Sequence, residues 1–140
     1  MPGEAALERL IAGMRPFLSP QTYVFATLPP DWPMPPGLEP LLSFREAEGL
    51  TLIVTPDEAA AHGIAAIFPC RRITLQVHSS LEAVGFMAAV SACLARRGIG
   101  ANPVAGYYHD HLFVPAERAD EALAALEALA AETGSRARSD

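Results

Sequence analysis

Hydrophobic residues recur along the chain at two spacings, one typical of helices and one typical of strands. Helical spacing predicts an amphipathic helix over residues 4–14 and a last helix that begins near residue 119. Residues 72–78 alternate strictly between apolar and polar side chains, which predicts a strand with one buried face. Shorter apolar runs predict strands over residues 23–27, 64–68, 99–105 and 110–114, and a β-hairpin over residues 41–46 and 50–54.

Two capping-box patterns mark where further helices begin. Thr55 followed by Pro56 and Glu58 predicts the start of a short helix. Ser79 followed three residues later by Glu82 predicts the start of a longer helix, which Arg96-Arg97-Gly98 closes. Helices and strands therefore alternate along the chain.

The order of these elements predicts the fold class. Residues 72–131 read β-α-β-β-α, a split βαβ, ferredoxin-like unit that lacks its final strand. Residues 21–68 read β-β-β-α-β, with a proline-rich loop in place of the first crossover helix. We predict an α+β protein of two ferredoxin-like (βαββαβ) modules in tandem, with an antiparallel sheet and helices on one face. The expected segments are residues 1–69, residues 70–132 and a frayed polar tail over residues 133–140.

The missing final strand leaves one edge of the second module unpaired. Exposed strand edges promote aggregation and are usually covered. We expect residues 64–68 or a second chain to cover this edge, and the protein to be a homodimer.

Composition excludes several classes of function. The 140 residues are 51 % hydrophobic and 19 % charged, so the chain can bury a core. A net charge of −6 argues against nucleic acid as a partner, and no apolar run is long enough to span a bilayer. All ten basic residues are arginines, which excludes lysine-dependent Schiff-base and phosphate-loop chemistry. Cys70 and Cys93 are too few for a disulfide scaffold, so we expect a cytoplasmic protein without a secretory signal.

In a ferredoxin-like module, the loop after the first strand and the turn between the second and third strands share one rim. Most reactive side chains of the second half fall there, namely His78, Ser79, Ser80, Glu82, Asn102, Tyr107, Tyr108, His109, Asp110 and His111. A helix that starts after Ser79 and Ser80 would bind a small anion through its free N–H groups. Gly85 would let that ligand approach closely.

Two other chemistries compete for the same rim. His78, His109 and His111 with Asp110 would suit a zinc or iron ion, although His-x-His is a weak signal. A serine with a histidine and Asp110 would form a nucleophilic triad, but the chain lacks the G-x-S-x-G elbow. Alternatively, the serines only cap a helix and the histidines are solvated turn residues.

Residues 72–131 resemble an ACT domain, a small regulatory βαββαβ module that binds amino acids. The resemblance rests on the strand at residues 73–77, the loop and helix that carry Gly85, and the run 97–102 that enters the second strand. The run 77–85, together with residues 104–111, is similar to bacterial stand-alone proteins built of tandem ACT-like domains.

The resemblance implies a ligand site between the first loop of one domain and the second-strand region of a neighbour. Carried onto this sequence, it implies the ligand-binding residues His78, Ser79, Ser80, Leu81, Gly85 and Asn102, with His109, Asp110 and His111 as a polar rim. The family's acidic-x-Pro-Gly loop is absent, and His78-Ser79-Ser80 stands in its place, so the ligand's identity does not transfer.

We therefore expect a non-catalytic, amino-acid-binding regulator without metal or cofactor. Because the resemblance covers no catalytic domain, regulation would act on a separate enzyme in trans. The alternatives are a small metal-dependent enzyme that uses His78, His109 and His111, and a structural partner domain without a ligand.

Overall fold

The computed structural model describes residues 2–139, with side chains from residue 6 to residue 138. The elements are α1 (Pro2–Gly13), β1 (Pro16–Leu28), β2 (Leu42–Glu46), β3 (Gly49–Val54), α2 (Pro56–Ala61), β4 (Ala66–Leu75), α3 (Phe86–Ala95), β5 (Asn102–Ala105), β6 (Asp110–Pro115) and α4 (Ala119–Ser139). None of the helices in this range is long and apolar enough to cross a membrane.

The six strands form one antiparallel sheet in the order β2-β3-β1-β4-β6-β5. The two longest strands, β1 and β4, lie at its centre and pair from Pro16 opposite Leu75 to Ala26 opposite Ala66. The predicted α+β class, with tandem ferredoxin-like modules and an antiparallel sheet, is confirmed.

Each central strand serves both modules. The segment Pro16–Leu18 pairs with the end of β4 and completes the sheet formed by β4, β6 and β5. In return, the start of β4 pairs with the second half of β1 and completes the sheet formed by β1, β3 and β2. The expectation that residues 64–68 or a second chain cover the open edge of the second module is therefore wrong. Residues 16–18 of the same chain cover it.

The strands predicted at residues 64–68 and 72–78 are one strand, Ala66–Leu75. Phe68 lies at φ 59°, and the β1–β4 register shifts between Tyr23 and Phe25, so a local irregularity lets the strand pass Pro69 without ending. The strand stops at Leu75, because the N–H of Val77 turns back to the carbonyl of Leu75 at 2.7 Å.

The two capping-box predictions have opposite outcomes. Thr55 caps α2 as predicted, and its side chain and that of Glu58 each accept a backbone N–H. The helix predicted to start after Ser79 is wrong, because α3 begins at Phe86. Ser80 instead holds a local turn, in which the Glu82 N–H donates to the Ser80 hydroxyl at 3.0 Å.

Helices cover one face of the sheet. Helices α1, α3 and α4 pack over Ile73, Leu75, Leu112 and Val114, while α2 packs through Ala59 on β1 and β3. The segment predicted as a frayed tail over residues 133–140 continues α4 as far as Ser139, and Thr133 is buried. Residue 140 lies outside the described residues.

The opposite face, which we call the open face, carries a cluster of strand residues without a helix over it. Tyr23, Ile53, Cys70 and Phe113 are buried there. Leu42 of β2 and Val104 of β5 both pack against this cluster, although these strands lie at opposite edges of the sheet. The sheet is therefore curled, and the open face is concave.

Candidate functional site

A cavity of about 300 Å³ opens where the loop after β4 meets the start of α3 and the strands β5 and β6. The loop contributes Ser79, Ser80, Leu81 and Ala83, the helix contributes Phe86 and Met87, and the strands contribute Pro103, Ala105 and Asp110. We call this space the loop cavity.

Backbone hydrogen bonds fix the loop at both ends of its polar segment. Gln76 exchanges N–H and carbonyl groups with Arg15, which ties the start of the loop to the start of β1. Farther along, the Ala83 N–H donates to the carbonyl of Ser80 at 3.0 Å and closes a turn. This turn leaves the side chain of Leu81 70 % exposed at the mouth of the cavity.

One side-chain hydrogen bond joins the loop to the sheet. The hydroxyl of Ser79 donates to Oδ2 of Asp110 at 3.3 Å. Asp110 is the first residue of β6 and pairs with Ala105, so its carboxylate reaches the loop cavity. The structure thus brings the loop and the end of the β5–β6 turn together.

The first turn of helix α3 borders the same cavity. Its N-cap residue, Gly85, has no side chain that could cap the first N–H groups. These groups lack an intrahelical partner and carry the positive end of the helix dipole. Phe86 and Met87 of this turn line the cavity. The cavity therefore has a carboxylate on one wall and residues of the uncapped first turn of α3 on another.

The ligand residues expected from the sequence divide into two groups. Ser79, Ser80 and Leu81 line the loop cavity. His78 is exposed and does not line it. Asn102 is exposed, and its pairing with Phe113 places it on the open face, away from the neighbouring Pro103.

Gly85 also lies outside the cavity lining. It has φ 90°, and a Cβ there would meet Cδ2 of Leu7 at 3.3 Å. The glycine therefore serves the left-handed start of α3 and the contact with α1.

The expected rim of His109, Asp110 and His111 is split between the two faces of the sheet. Asp110 lines the loop cavity, whereas His111 lies on the open face with its Nδ1 2.9 Å from the hydroxyl of Thr74. Burial lowers the pKa of His111 below its usual value, and nearby Arg72 lowers it further. The buried Nδ1 of His109 has no hydrogen-bond partner in the described residues.

The positions of these side chains test the two alternatives considered for the rim, a metal site and a nucleophilic triad. Among the side chains that the structure describes, those of residues 6–138, no group of three histidine, cysteine or acidic side chains is placed to hold a metal ion. Ser79 donates to Asp110 rather than to a histidine, and Ser80 accepts only from a backbone N–H. The described residues thus contain no serine–histidine pair at this rim.

Five cavity residues were not among the sequence-derived candidates, namely Ala83, Phe86, Met87, Pro103 and Ala105. They are apolar, so a search for reactive side chains passes over them. The alternation of β5 carries a signal for two of them, because Pro103 and Ala105 share the face opposite to Val104.

Comparison with known proteins assigns the family. ACT-domain family models match residues 2–71 and residues 67–128. The chain belongs to the ACT-domain family. The resemblance inferred from residues 72–131 is confirmed, and the tandem arrangement covers nearly the whole chain. Family membership gives this ACT-domain protein a regulatory, small-ligand-binding role in general terms.

Solved structures agree with this assignment. A Vibrio cholerae protein of unknown function, described as a possible transport protein, is 45 % identical over 91 % of this chain and 98 % of its own, with a TM-score of 0.83. An Agrobacterium tumefaciens protein is 18 % identical over 84 % and 89 %, with a TM-score of 0.71. The ligand-free regulatory subunit of aspartate kinase from Thermus thermophilus is 15 % identical over 81 % and 95 %, with a TM-score of 0.64. Comparison with curated proteins finds no match.

Proposed function

We propose that this ACT-domain protein is a non-catalytic regulator that binds a free amino acid in the loop cavity. The observation that supports the proposal is that the loop cavity has groups of opposite polarity on different walls. The carboxylate of Asp110 stands on one wall and the uncapped first turn of α3 on another. A zwitterionic amino acid presents the complementary ammonium and carboxylate groups.

The polar groups of the cavity suit the two ends of such a ligand. The ammonium group would bind Asp110, whose Oδ2 already accepts from Ser79. The carboxylate would bind the N–H groups of α3, where an anion gains about 0.3–1 kcal/mol from the helix dipole at an exposed site. The apolar side chains of Leu81 and Met87 would contact the ligand's side chain.

The remaining sequence-derived ligand residues fit a site shared between chains. Asn102 lies exposed on the edge strand β5, where the loop of a second chain could reach it. Val84 of the loop is 88 % exposed, which supports contact with another chain. We propose a homodimer on this basis. His78 and Gly85 would then act through the loop conformation rather than by direct contact.

The proposed regulator acts in trans on a separate enzyme, in the cytoplasm, without nucleic acid or membrane as a partner. A structural neighbour that is a regulatory subunit of aspartate kinase gives a precedent for regulation on this fold. The buried free thiols Cys70 and Cys93 suit a reducing compartment.

A thermal-shift panel of the twenty amino acids tests the proposal. A ligand that binds only the native state at about 100 times its Kd adds about 2.7 kcal/mol of stability. We expect at least one amino acid to raise the Tm by several degrees.

The variant Asp110→Asn keeps the shape of the side chain and removes its charge. A hydrogen bond to a charged group contributes about 1.5–3 kcal/mol, so we expect the Kd to rise about tenfold or more. Asp31→Asn is the matched control, because Asp31 is exposed in the proline-rich loop. If no amino acid shifts the Tm, or if Asp110→Asn binds as tightly as the parent, the loop cavity is not an amino-acid site. An absence of any response would favour a structural partner domain.

A further inference from the structure

The open face carries a second, smaller cavity of about 130 Å³, separate from the loop cavity. Strand β4 contributes Arg72, β6 contributes His111 and Phe113, and Leu42 and Val104 come from the two edge strands. Because the curled sheet brings these edges together, the cavity has apolar walls around one positive side chain.

Arg72 is the only arginine or lysine among the described residues that line this cavity, and part of its guanidinium group has no partner among the described residues. Its Nε atom is buried and has no hydrogen-bond partner in the described residues. Among the described residues, the one ion pair joins Arg118 and Glu121, so no described carboxylate forms an ion pair with Arg72. A buried donor without a partner is costly to the fold unless something accepts its hydrogen bond.

Neighbouring polar groups do not supply that acceptor. The Nδ1 of His111 is engaged with the hydroxyl of Thr74 at 2.9 Å. Asp110 precedes His111 on β6 but lines the loop cavity on the other face of the sheet. No described acceptor thus satisfies the Nε–H of Arg72, whose side chain lines the open-face cavity.

The size of the cavity and its apolar walls indicate which organic group would be attached to an anion bound there. A cavity of about 150 Å³ accommodates a six-carbon ring, so a space of about 130 Å³ suits five or six heavy atoms. Phe113 and Leu42 offer apolar contact to a short chain. Arginine binds a carboxylate through parallel N–H donors.

We propose that the open-face cavity binds a short-chain carboxylate of three or four carbons, with Arg72 holding the carboxylate and Leu42, Val104 and Phe113 enclosing the chain. This site is independent of the loop cavity and its proposed amino acid. The protein would thus sense a second small molecule on the opposite side of its sheet.

Titration of the full-length protein with butyrate, followed by NMR, tests the proposal. We expect saturable shifts of the Arg72 Nε–H signal and of the Phe113 ring signals. Butyramide has nearly the same shape without the charge, and inorganic phosphate has the charge without the chain. Both should bind at least about tenfold more weakly than butyrate. Equal binding of butyramide, or equal or tighter binding of phosphate, would overturn the assignment of a carboxylate.

Two variants separate a binding role of the cavity from a structural one. Arg72→Gln should raise the butyrate Kd about tenfold or more and leave the Tm of the ligand-free protein no lower than that of the parent. Val104→Phe keeps Arg72 but fills the space, and should also abolish binding. Arg45→Gln is the control, because exposed Arg45 lies on β2 outside this cavity. A failure of butyrate to bind, or unchanged binding by Arg72→Gln or Val104→Phe, would overturn the proposal without affecting the amino-acid site.

Discussion

Gly49 and Gly100 differ in how much space surrounds their backbones. At Gly49, a Cβ would lie 2.5 Å from the carbonyl oxygen of Leu28 and 2.8 Å from the hydroxyl oxygen of Thr27. At Gly100, a Cβ would meet nothing within 4 Å. The first glycine is required by the close pairing of β3 with β1, whereas the second is not.

We expect Gly49→Ala to lower the free energy of unfolding by about 1–3 kcal/mol, because the added methyl group displaces backbone that is already paired. Gly100→Ala is the matched control and should change the free energy of unfolding by less than about 0.5 kcal/mol. Urea denaturation followed by circular dichroism measures both. Equal stability of the two variants would contradict the close approach at Gly49.

Candidate site residues were predictable from the sequence only in part. Ser79, Ser80 and Asp110 could be placed near one another, because the topology brings their loop and turn to one rim. The separation of Asp110 from His111 follows from the two-residue period of a strand. Because the sequence predicts a strand over residues 110–114, this separation could have been inferred, but which of the two residues faces the helices depends on the register of β6.

At the scale of elements, the two capping-box motifs show that the spacing of two residues does not by itself determine whether a helix begins. Thr55 is followed directly by Pro56, whose ring fixes a helical φ, and Glu58 completes the box. Ser79 has no such residue after it, and the hydroxyl of Ser80 accepts the N–H of Glu82 in a turn. The same spacing between a hydroxyl side chain and a glutamate is therefore found at the start of a helix in one context and in a loop in another.

The capping box formed by Thr55 and Glu58 predicts that the stability of the fold depends on pH. The Thr55 N–H donates to the carboxylate of Glu58 and holds the pKa of Glu58 below its usual value of 4.5. Because the folded-state pKa is lowered, the carboxylate stabilises the fold fully above pH 4.5 and loses this effect as the pH falls through the lowered value. We expect Glu58→Gln to be less stable than the parent at pH 7, with the difference shrinking in acid.

Urea denaturation at a series of pH values checks this expectation. Glu48→Gln is the matched control, because Glu48 lies exposed in the β2–β3 turn. This variant keeps Glu58 and should therefore retain the pH dependence that Glu58 confers on the parent. A difference for Glu58→Gln that grows in acid would contradict the sign of the effect.

At the scale of the whole molecule, the sharing of β1 and β4 was not predictable from the local sequence. Helix α1 ends at Gly13, and nothing in the run 16–18 indicates that these residues pair with the end of β4, 55 or more positions away. Such pairing depends on which sheet edge is free in three dimensions. Its consequence is that neither module has its own complete sheet, so we regard the two as one folding unit.

Because residues 16–18 cover the edge of the second module, an unpaired sheet edge is not a reason for dimerisation. Strand β5 is four residues long and contains Pro103, while β2 carries the exposed charges Arg45 and Glu46. Short strands, prolines and charges are the devices that keep edges from pairing with another chain. The proposed homodimer rests instead on the loop, where Leu81 and Val84 are 70 % and 88 % exposed.

Light scattering of the purified protein at micromolar concentration tests the homodimer. We expect a mass of about twice the 14.9 kDa of one chain. Val84→Asp should yield monomers, because a charge buried in an apolar interface without a partner is costly. Ile67→Asp introduces the same charge at an apolar residue that is 73 % exposed but pairs with Phe25, away from the loop, and should remain dimeric. A parent protein of 14.9 kDa in solution, or a dimer that Ile67→Asp dissociates and Val84→Asp leaves intact, would rule out an interface at the loop.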